Sequence, residues 1–208
     1  DFYRRSRALA SALIAAGLQK GDRVGTLCWN HYAHLECYFG IPAAGGVMHT
    51  LNLRLSPEEI GWIANHAQDR FLIVDDVLLP LYEQIKARAP FEKVVVVPLT
   101  RKSVAAPLVD YEAFLNGAPA RFEYAPHEED DPIAMCYTSG TTGRPKGVLH
   151  VQGGFLVSIS REVCYQADAR PGDVIHFATD MGWIMGPWTV VGGGAIDRCR
   201  SDHVDRMA

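Results

Sequence analysis

The sequence predicts an α/β fold: a layered, largely parallel sheet flanked by helices. Three observations carry this. Short β-branched runs alternate along the chain with stretches whose apolar residues recur at i, i+3 and i+4, the periods of strands and amphipathic helices. The run Val94 to Val97 is apolar without interruption, as a strand covered on both faces must be. The connections are short and rich in Gly, Pro and Asp, which suits strand–helix–strand units.

Asp1 to Ala16 carries Leu9, Leu13 and Ile14 on one side and Arg4, Arg5 and Arg7 elsewhere, a surface helix closed by Gly17. Val24 to Leu27 is a strand, and Tyr32 to Ala44 a second helix. Ser56-Pro57-Glu58-Glu59 then places an N-cap, a proline at the first helical position and a capping-box glutamate in order, ahead of Ile60, Ile63, Ala64 and Ala67. Phe71 to Val74 is a strand. Leu78, Leu81, Tyr82 and Ile85 repeat the helical spacing until Pro90, and Val94 to Val97 follows as a strand. Asp110 to Leu115 is a short helix stopped by Asn116-Gly117. Ala118 to Asp131 is polar and acidic towards its end, a linker. Ile133 to Tyr137 is a strand, Phe155 to Val163 a helix, and Val174 to Phe177 a strand after the Pro171-Gly172-Asp173 turn. The organisation expected is a first α/β part over residues 1–117, a linker over 118–131, a second α/β part over 132–195 and a divergent tail over 196–208.

Composition excludes several classes. At 48% hydrophobic content the 208 residues hold enough apolar material for ordinary cores. No run approaches about 18 consecutive apolar residues, so no membrane span is expected. A net charge of −4, from 20 basic and 24 acidic residues, argues against nucleic acid as the main partner. The five cysteines include no C-x-x-C pair, which supports neither a disulfide framework nor a zinc ribbon. Cys28 and Cys136 sit in strand-like runs and read as inert core fillers. With no signal-peptide pattern at the start, the expected location is cytoplasmic.

The segment richest in chemistry is Tyr137-Thr138-Ser139-Gly140-Thr141-Thr142-Gly143-Arg144-Pro145-Lys146-Gly147. Its glycines permit positive φ and let backbone N–H groups converge into an anion nest. Hydroxyls from Thr138, Ser139, Thr141 and Thr142 add donors, and Lys146 adds a mobile point charge suited to phosphate oxygens. It is not a Walker A loop, because Pro145 interrupts the required Gly-Lys pair. A flexible Ser/Thr/Gly linker is the alternative. The apolar segments on both sides and the stiffening Pro145 count against it.

Tyr137 to Gly147 resembles the signature loop of the adenylate-forming superfamily, which includes acyl-CoA synthetases. Ala8 to Gly25 resembles the first helix-to-strand unit of these enzymes. Thr50 to Asp75 is similar to medium- and long-chain fatty acyl-CoA synthetases, whereas Gly147 to Leu156 and Asp180 to Ile184 are more like acetyl-CoA synthetase. The resemblance implies part of the large N-terminal domain of an AMP-forming acyl-CoA synthetase. It also implies ATP-dependent activation of a fatty or short aliphatic acid to acyl-AMP, followed by thioester formation with coenzyme A, with Mg²⁺ assisting. By the same resemblance Thr138, Ser139, Gly140, Thr141, Thr142, Gly143 and Lys146 contact ATP, with Lys146 the catalytic contact. Asp180, Gly182 and Trp183 lie towards the acyl and CoA side, although Pro187 stands where histidine is usual.

Other constellations are set aside. His31, His34 and Glu36 read as polar residues on a partly exposed helix, and no metal-ligand set is assigned. His150 either touches substrate or is a hydrogen-bonded structural histidine. The family's later motifs, a Tyr-Gly-x-Thr-Glu segment and the small C-terminal domain among them, have no counterpart here. The expectation is therefore a fragment inactive by itself. A stand-alone, non-catalytic nucleotide-binding or interaction module is the alternative, and the oligomeric state is left open.

Overall fold

The computed structural model describes residues 1–119, 121–124, 126–138, 145–176 and the single positions 186, 188 and 192. Helix α1 (Phe2–Ala15) leads to β1 (Arg23–Leu27), α2 (Tyr32–Ala43), β2 (Val47–Thr50), α3 (Pro57–Ala67) and β3 (Asp69–Asp75). A single 3₁₀ turn, Asp76–Leu78, precedes α4 (Leu79–Ile85), β4 (Lys93–Val97), β5 (Val109–Asp110) and α5 (Tyr111–Asn116). The chain then forms β6 (Pro132–Thr138), β7 (Lys146–Val151) and α6 (Gln152–Arg161), which continues into a π-helical turn, Glu162–Gln166.

Local signals account for the helix ends. Gly17 takes φ +96° just beyond α1, a conformation that Gly adopts without a Cβ penalty. At the start of α3 the Ser56 hydroxyl accepts from the Glu59 backbone N–H at 3.2 Å, and the Glu59 carboxylate accepts from the Ser56 N–H at 3.0 Å. This reciprocal box satisfies two donors that the first turn would otherwise leave open.

The seven strands among the described residues lie in one sheet, ordered β5-β4-β3-β1-β2-β6-β7. Every pairing is parallel except the antiparallel β6–β7 ladder. Because side chains alternate along each strand, the sheet feeds two cores. Phe71, Ile73, Val95 and Val97 pack on one face with Leu9, Leu13, Cys37, Ile41 and Tyr111 from α1, α2 and α5. Leu72, Val74, Val94 and Val96 pack on the other with Ile60, Ile63, Ala64 and Ile85 from α3 and α4. The sheet continues past residues 118–131, since β6 pairs with β2. That segment runs beside α1, where Phe122 is buried and its carbonyl accepts from Arg7 at 3.0 Å.

The structure departs from the sequence reading at several points. No strand forms over residues 174–176, and Val174 is 93% exposed, so the β-branched pattern there has no ladder to join among the described residues. Strands β2 and β7, not expected as strands, are recruited by their neighbours β1 and β6. His34 and Glu36 are buried (1% and 2% exposed), not on an exposed helix face. Cys28, Cys37 and Cys136 are free and buried. Cys164, by contrast, is disulfide-bonded, which the cysteine spacing gave no reason to expect. No described helix is long and apolar enough to cross a membrane.

Candidate functional site

Parallel pairing sends β1, β2, β3 and β6 in one direction, so their carboxyl ends share an edge. The chain leaves β1 for α2 on one face but leaves β2 and β3 for α3 and α4 on the other. Connections that part in this way open a crevice on each side of β1, the usual place for a ligand in an open α/β sheet.

The Ser/Thr/Gly segment emerges at this same edge. Thr138 ends β6, Lys146 begins β7, and the two face each other as the last pair of the antiparallel ladder. Both are exposed. The loop is therefore held at its base by a hairpin. One pair further in, Gly147 opposes Tyr137, and a Cβ on Gly147 would stand 3.0 Å from the Tyr137 ring, so glycine leaves the phenol room there. The Tyr137 hydroxyl hydrogen-bonds His66 Nδ1 at 2.6 Å, and His66 stacks on Trp62 with ring centroids 4.8 Å apart. Burial holds the Tyr137 hydroxyl above its ordinary pKa, which keeps it a neutral donor.

Behind this ladder sits a fully buried pair. His49 Nδ1 lies 2.8 Å from the Asp69 carboxylate, and both side chains are inaccessible to solvent. Burial raises the Asp69 pKa, and the facing His49 opposes that shift. A Cβ on Gly25 would come within 3.1 Å of Asp69 Oδ2, so glycine leaves the carboxylate room in the sheet.

At the crevice between β1 and β3, Asp75 is fully buried. One of its oxygens accepts from the Trp29 N–H at 2.8 Å, and the other lies 2.8 Å from His31 Nε2. Cys28 and Cys37 are thiols whose pKa burial pushes well up, so they lack the thiolate character of a nucleophile. His34 hydrogen-bonds the Trp29 carbonyl through Nδ1 and Thr26 Oγ1 through Nε2, both at 3.1 Å. A carbonyl only accepts, so Nδ1 carries the proton. Desolvation lowers the His34 pKa to about 4. Glu36 is bound by Arg5 and by the Tyr111 hydroxyl, which donates at 2.8 Å, a structural network linking α1, α2 and α5.

Of the residues singled out in the sequence, Thr138 and Lys146 are brought together at the loop base. Ser139, Gly140, Thr141, Thr142 and Gly143 lie outside the described residues, as do Asp180, Gly182 and Trp183. Trp188 is buried against Phe155, Ile159 and Val163 and donates to Glu162 at 2.5 Å. His150 is half-buried, its pKa lowered by desolvation, with its ring 4.9 Å from that of Phe155. Asp75, His49 and Asp69 were not legible as site residues, because their partners lie 20 to 46 positions away in the chain.

The family model described as AMP-binding enzyme matches residues 1–196. The chain belongs to this family. A long-chain-fatty-acid–CoA ligase of Thermus thermophilus is 43% identical over 158 residues, covering 72% of this chain and 27% of the relative. A 3-methylmercaptopropionyl-CoA ligase of Ruegeria pomeroyi is 42% identical over 149 residues, covering 70% of this chain and 28% of its own length. The chain thus spans little more than a quarter of these relatives. Among solved structures, an acetoacetyl-CoA synthetase from Streptomyces lividans superposes with a TM-score of 0.78 at 25% identity, over 94% of this chain and 31% of the other. An anthranilate CoA ligase in complex with anthranoyl-AMP superposes with a TM-score of 0.81 at 24% identity, over 91% and 38% respectively, a likeness of fold. This AMP-binding family member carries Thr138 and Lys146, which flank its Ser/Thr/Gly segment, at the carboxyl edge of a mostly parallel sheet.

Proposed function

We propose that this sequence, within a chain of its relatives' length, activates a carboxylic acid with ATP and passes the acyl group to coenzyme A. A carboxylate is a poor electrophile because negative charge shields its carbonyl carbon. Its oxygen attacks the α-phosphorus of ATP, and the bond to the β-phosphate breaks to release pyrophosphate. The coenzyme A sulfur then attacks the acyl carbon, loses its proton, and AMP departs. The first step gathers several anions, so placed donors and positive charge are its main requirement.

The observation that carries this reading is the family match together with the loop whose base pairs Thr138 with Lys146. In the reading, Thr138, Ser139, Gly140, Thr141, Thr142, Gly143 and Lys146 grip the phosphates. Lys146 supplies the charge, and Asp180, Gly182 and Trp183 serve the acyl and CoA side. The acid is fatty or otherwise small and aliphatic; the long-chain and methylmercaptopropionyl ligases among the relatives support an aliphatic substrate. Residues 1–117 and 132–195 act as two parts joined through 118–131, and the 208 residues alone are expected to be inactive. The reaction is placed in the cytoplasm.

Mg²⁺ would neutralise phosphate charge in such a site. It prefers oxygen ligands, whereas the one cluster of three possible ligands among the described residues, Cys28, His31 and Asp75, offers sulfur and nitrogen. No described residue is therefore assigned to it.

The test is pyrophosphate release with a panel of aliphatic acids, using a full-length protein that contains this sequence. The Ser139→Ala, Lys146→Ala double variant should lose about a hundredfold or more in rate. An unchanged rate would remove the loop from the reaction.

A further inference from the structure

We propose that Cys28, His31 and Asp75 form a binding site for Zn²⁺ at the crevice between the carboxyl ends of β1 and β3. None of the three residues is among those assigned to the phosphates, and the inference does not depend on the ligase reading.

Each of the three residues offers one ligand atom, and these atoms all lie within 4.8 Å of one another. Tetrahedral zinc with bonds of about 2.0–2.3 Å sets its ligands roughly 3.3–3.8 Å apart, so small side-chain shifts would close the cluster. The donors come from two rigid sources: Asp75 ends β3, and Cys28 and His31 lie in the short connection from β1 to α2. Asp75 is already aimed, because the Trp29 N–H holds one oxygen at 2.8 Å and leaves the other beside His31 Nε2. His31 Nδ1 is buried with no hydrogen-bond partner. Nε2 is the nitrogen that faces Asp75, so an ion shared with that carboxylate takes the Nε2 lone pair while the ring proton moves to Nδ1. Asp75 is fully buried and Cys28 is 5% exposed, whereas the His31 side chain is 14% exposed and gives an ion its way in.

The charge balance favours a divalent cation. His31 is the N-cap of α2 and makes no side-chain cap hydrogen bond, so the positive end of that helix faces the cluster. A thiolate and a carboxylate cancel the two charges of zinc and leave a neutral site that the helix end does not oppose. The Cys28 proton passes to solvent on binding. Three protein ligands leave the fourth position open for water. Sulfur and imidazole donors select zinc over magnesium or calcium. The same residues do not make a cysteine nucleophile, because the Cys28 thiol is desolvated and donates to the Ile73 carbonyl at 3.4 Å.

The experiment uses the tag-free chain stripped with a chelator. Zn²⁺ is titrated in competition with a chromophoric chelator, and Co²⁺ serves as a spectroscopic probe. About one equivalent should bind with a thiolate-to-cobalt charge-transfer band. Cys28→Ser, which nearly preserves shape, should abolish that band and weaken zinc at least tenfold; His31→Ala should also weaken zinc at least tenfold. Cys37→Ser, a buried thiol outside the cluster, should retain both signals, and circular dichroism of every variant verifies folding. A band that persists in Cys28→Ser, or wild-type affinity no tighter than that of folded Cys28→Ser and His31→Ala, would overturn the proposal.

Discussion

The hydroxyl of Tyr137 lies 2.6 Å from Nδ1 of His66, 71 positions earlier in the chain, and ties the strand leading into the loop to the last turn of α3. The ring stays packed in Tyr137→Phe while the hydrogen bond is lost. Loss of that bond should reduce stability by about 0.5–1.5 kcal/mol, read as a lower urea midpoint with unchanged slope. In a His66→Ala background the further change Tyr137→Phe should leave the midpoint where it is, because the two residues act as one unit.

Helix α2 packs tightly against α1 at Gly40. A Cβ there would stand 2.8 Å from Leu9 Cδ2 and 2.9 Å from the Ser6 carbonyl oxygen. A backbone oxygen cannot rotate away, so the helices must separate. Gly40→Ala should therefore destabilise by about 1–3 kcal/mol despite the better helix propensity of alanine. Thermal unfolding followed by circular dichroism measures it, and a stabilised variant would mean the contact yields freely.

Ser56→Ala removes the acceptor for the Glu59 N–H and leaves the first turn of α3 uncapped. The expected loss is about 1 kcal/mol in the denaturation midpoint. Hydrogen bonds from the Ser56 backbone and side chain hold the Glu59 pKa below its ordinary value. This contribution is complete above the usual carboxylate range and disappears as pH falls through the lowered pKa. Glu59→Gln should flatten that part of the acid limb.

His34 should make the fold sensitive to mild acid. Burial lowers its pKa from 6.5 to about 4, so the folded state prefers the neutral ring. The unfolded chain takes up the proton first. Stability is therefore full above pH ~6.5 and falls as pH drops towards 4, by on the order of 3 kcal/mol. Denaturant midpoints at pH 7, 5.5 and 4.5 would check this, and His34→Gln should show a shallower decline over that interval.

Local chemistry made some of these features legible in the sequence. The α3 helix announces itself within a dozen residues, since the cap, the proline and the buried Ile60, Ile63, Ala64 and Ala67 are all neighbours along the chain. The Ser/Thr/Gly segment is equally local, a run of hydroxyls and glycines ending in Lys146. The β-branched residues of Val94–Val97 mark a strand because each face of it meets a different core.

Val174 shows the limit of the same reasoning. Its sequence pattern matches a strand, but a strand exists only where a neighbour accepts its hydrogen bonds, and this residue stands open to solvent. Strand β2 is the converse: Val47–Thr50 contains a histidine and a threonine and becomes a strand because β1 and β6 flank it.

By itself, then, the sequence determined the α/β class, the capped helices and a run of hydroxyls and glycines ending in Lys146, because each is written in residues a few positions apart. Only the tertiary structure decided that the loop base faces the carboxyl edge of the sheet, that His49 is buried on Asp69, and that Cys28 and His31 meet Asp75. Those placements depend on which strands become neighbours. Burying both faces of the whole sheet at once selects that order, and no single segment encodes it.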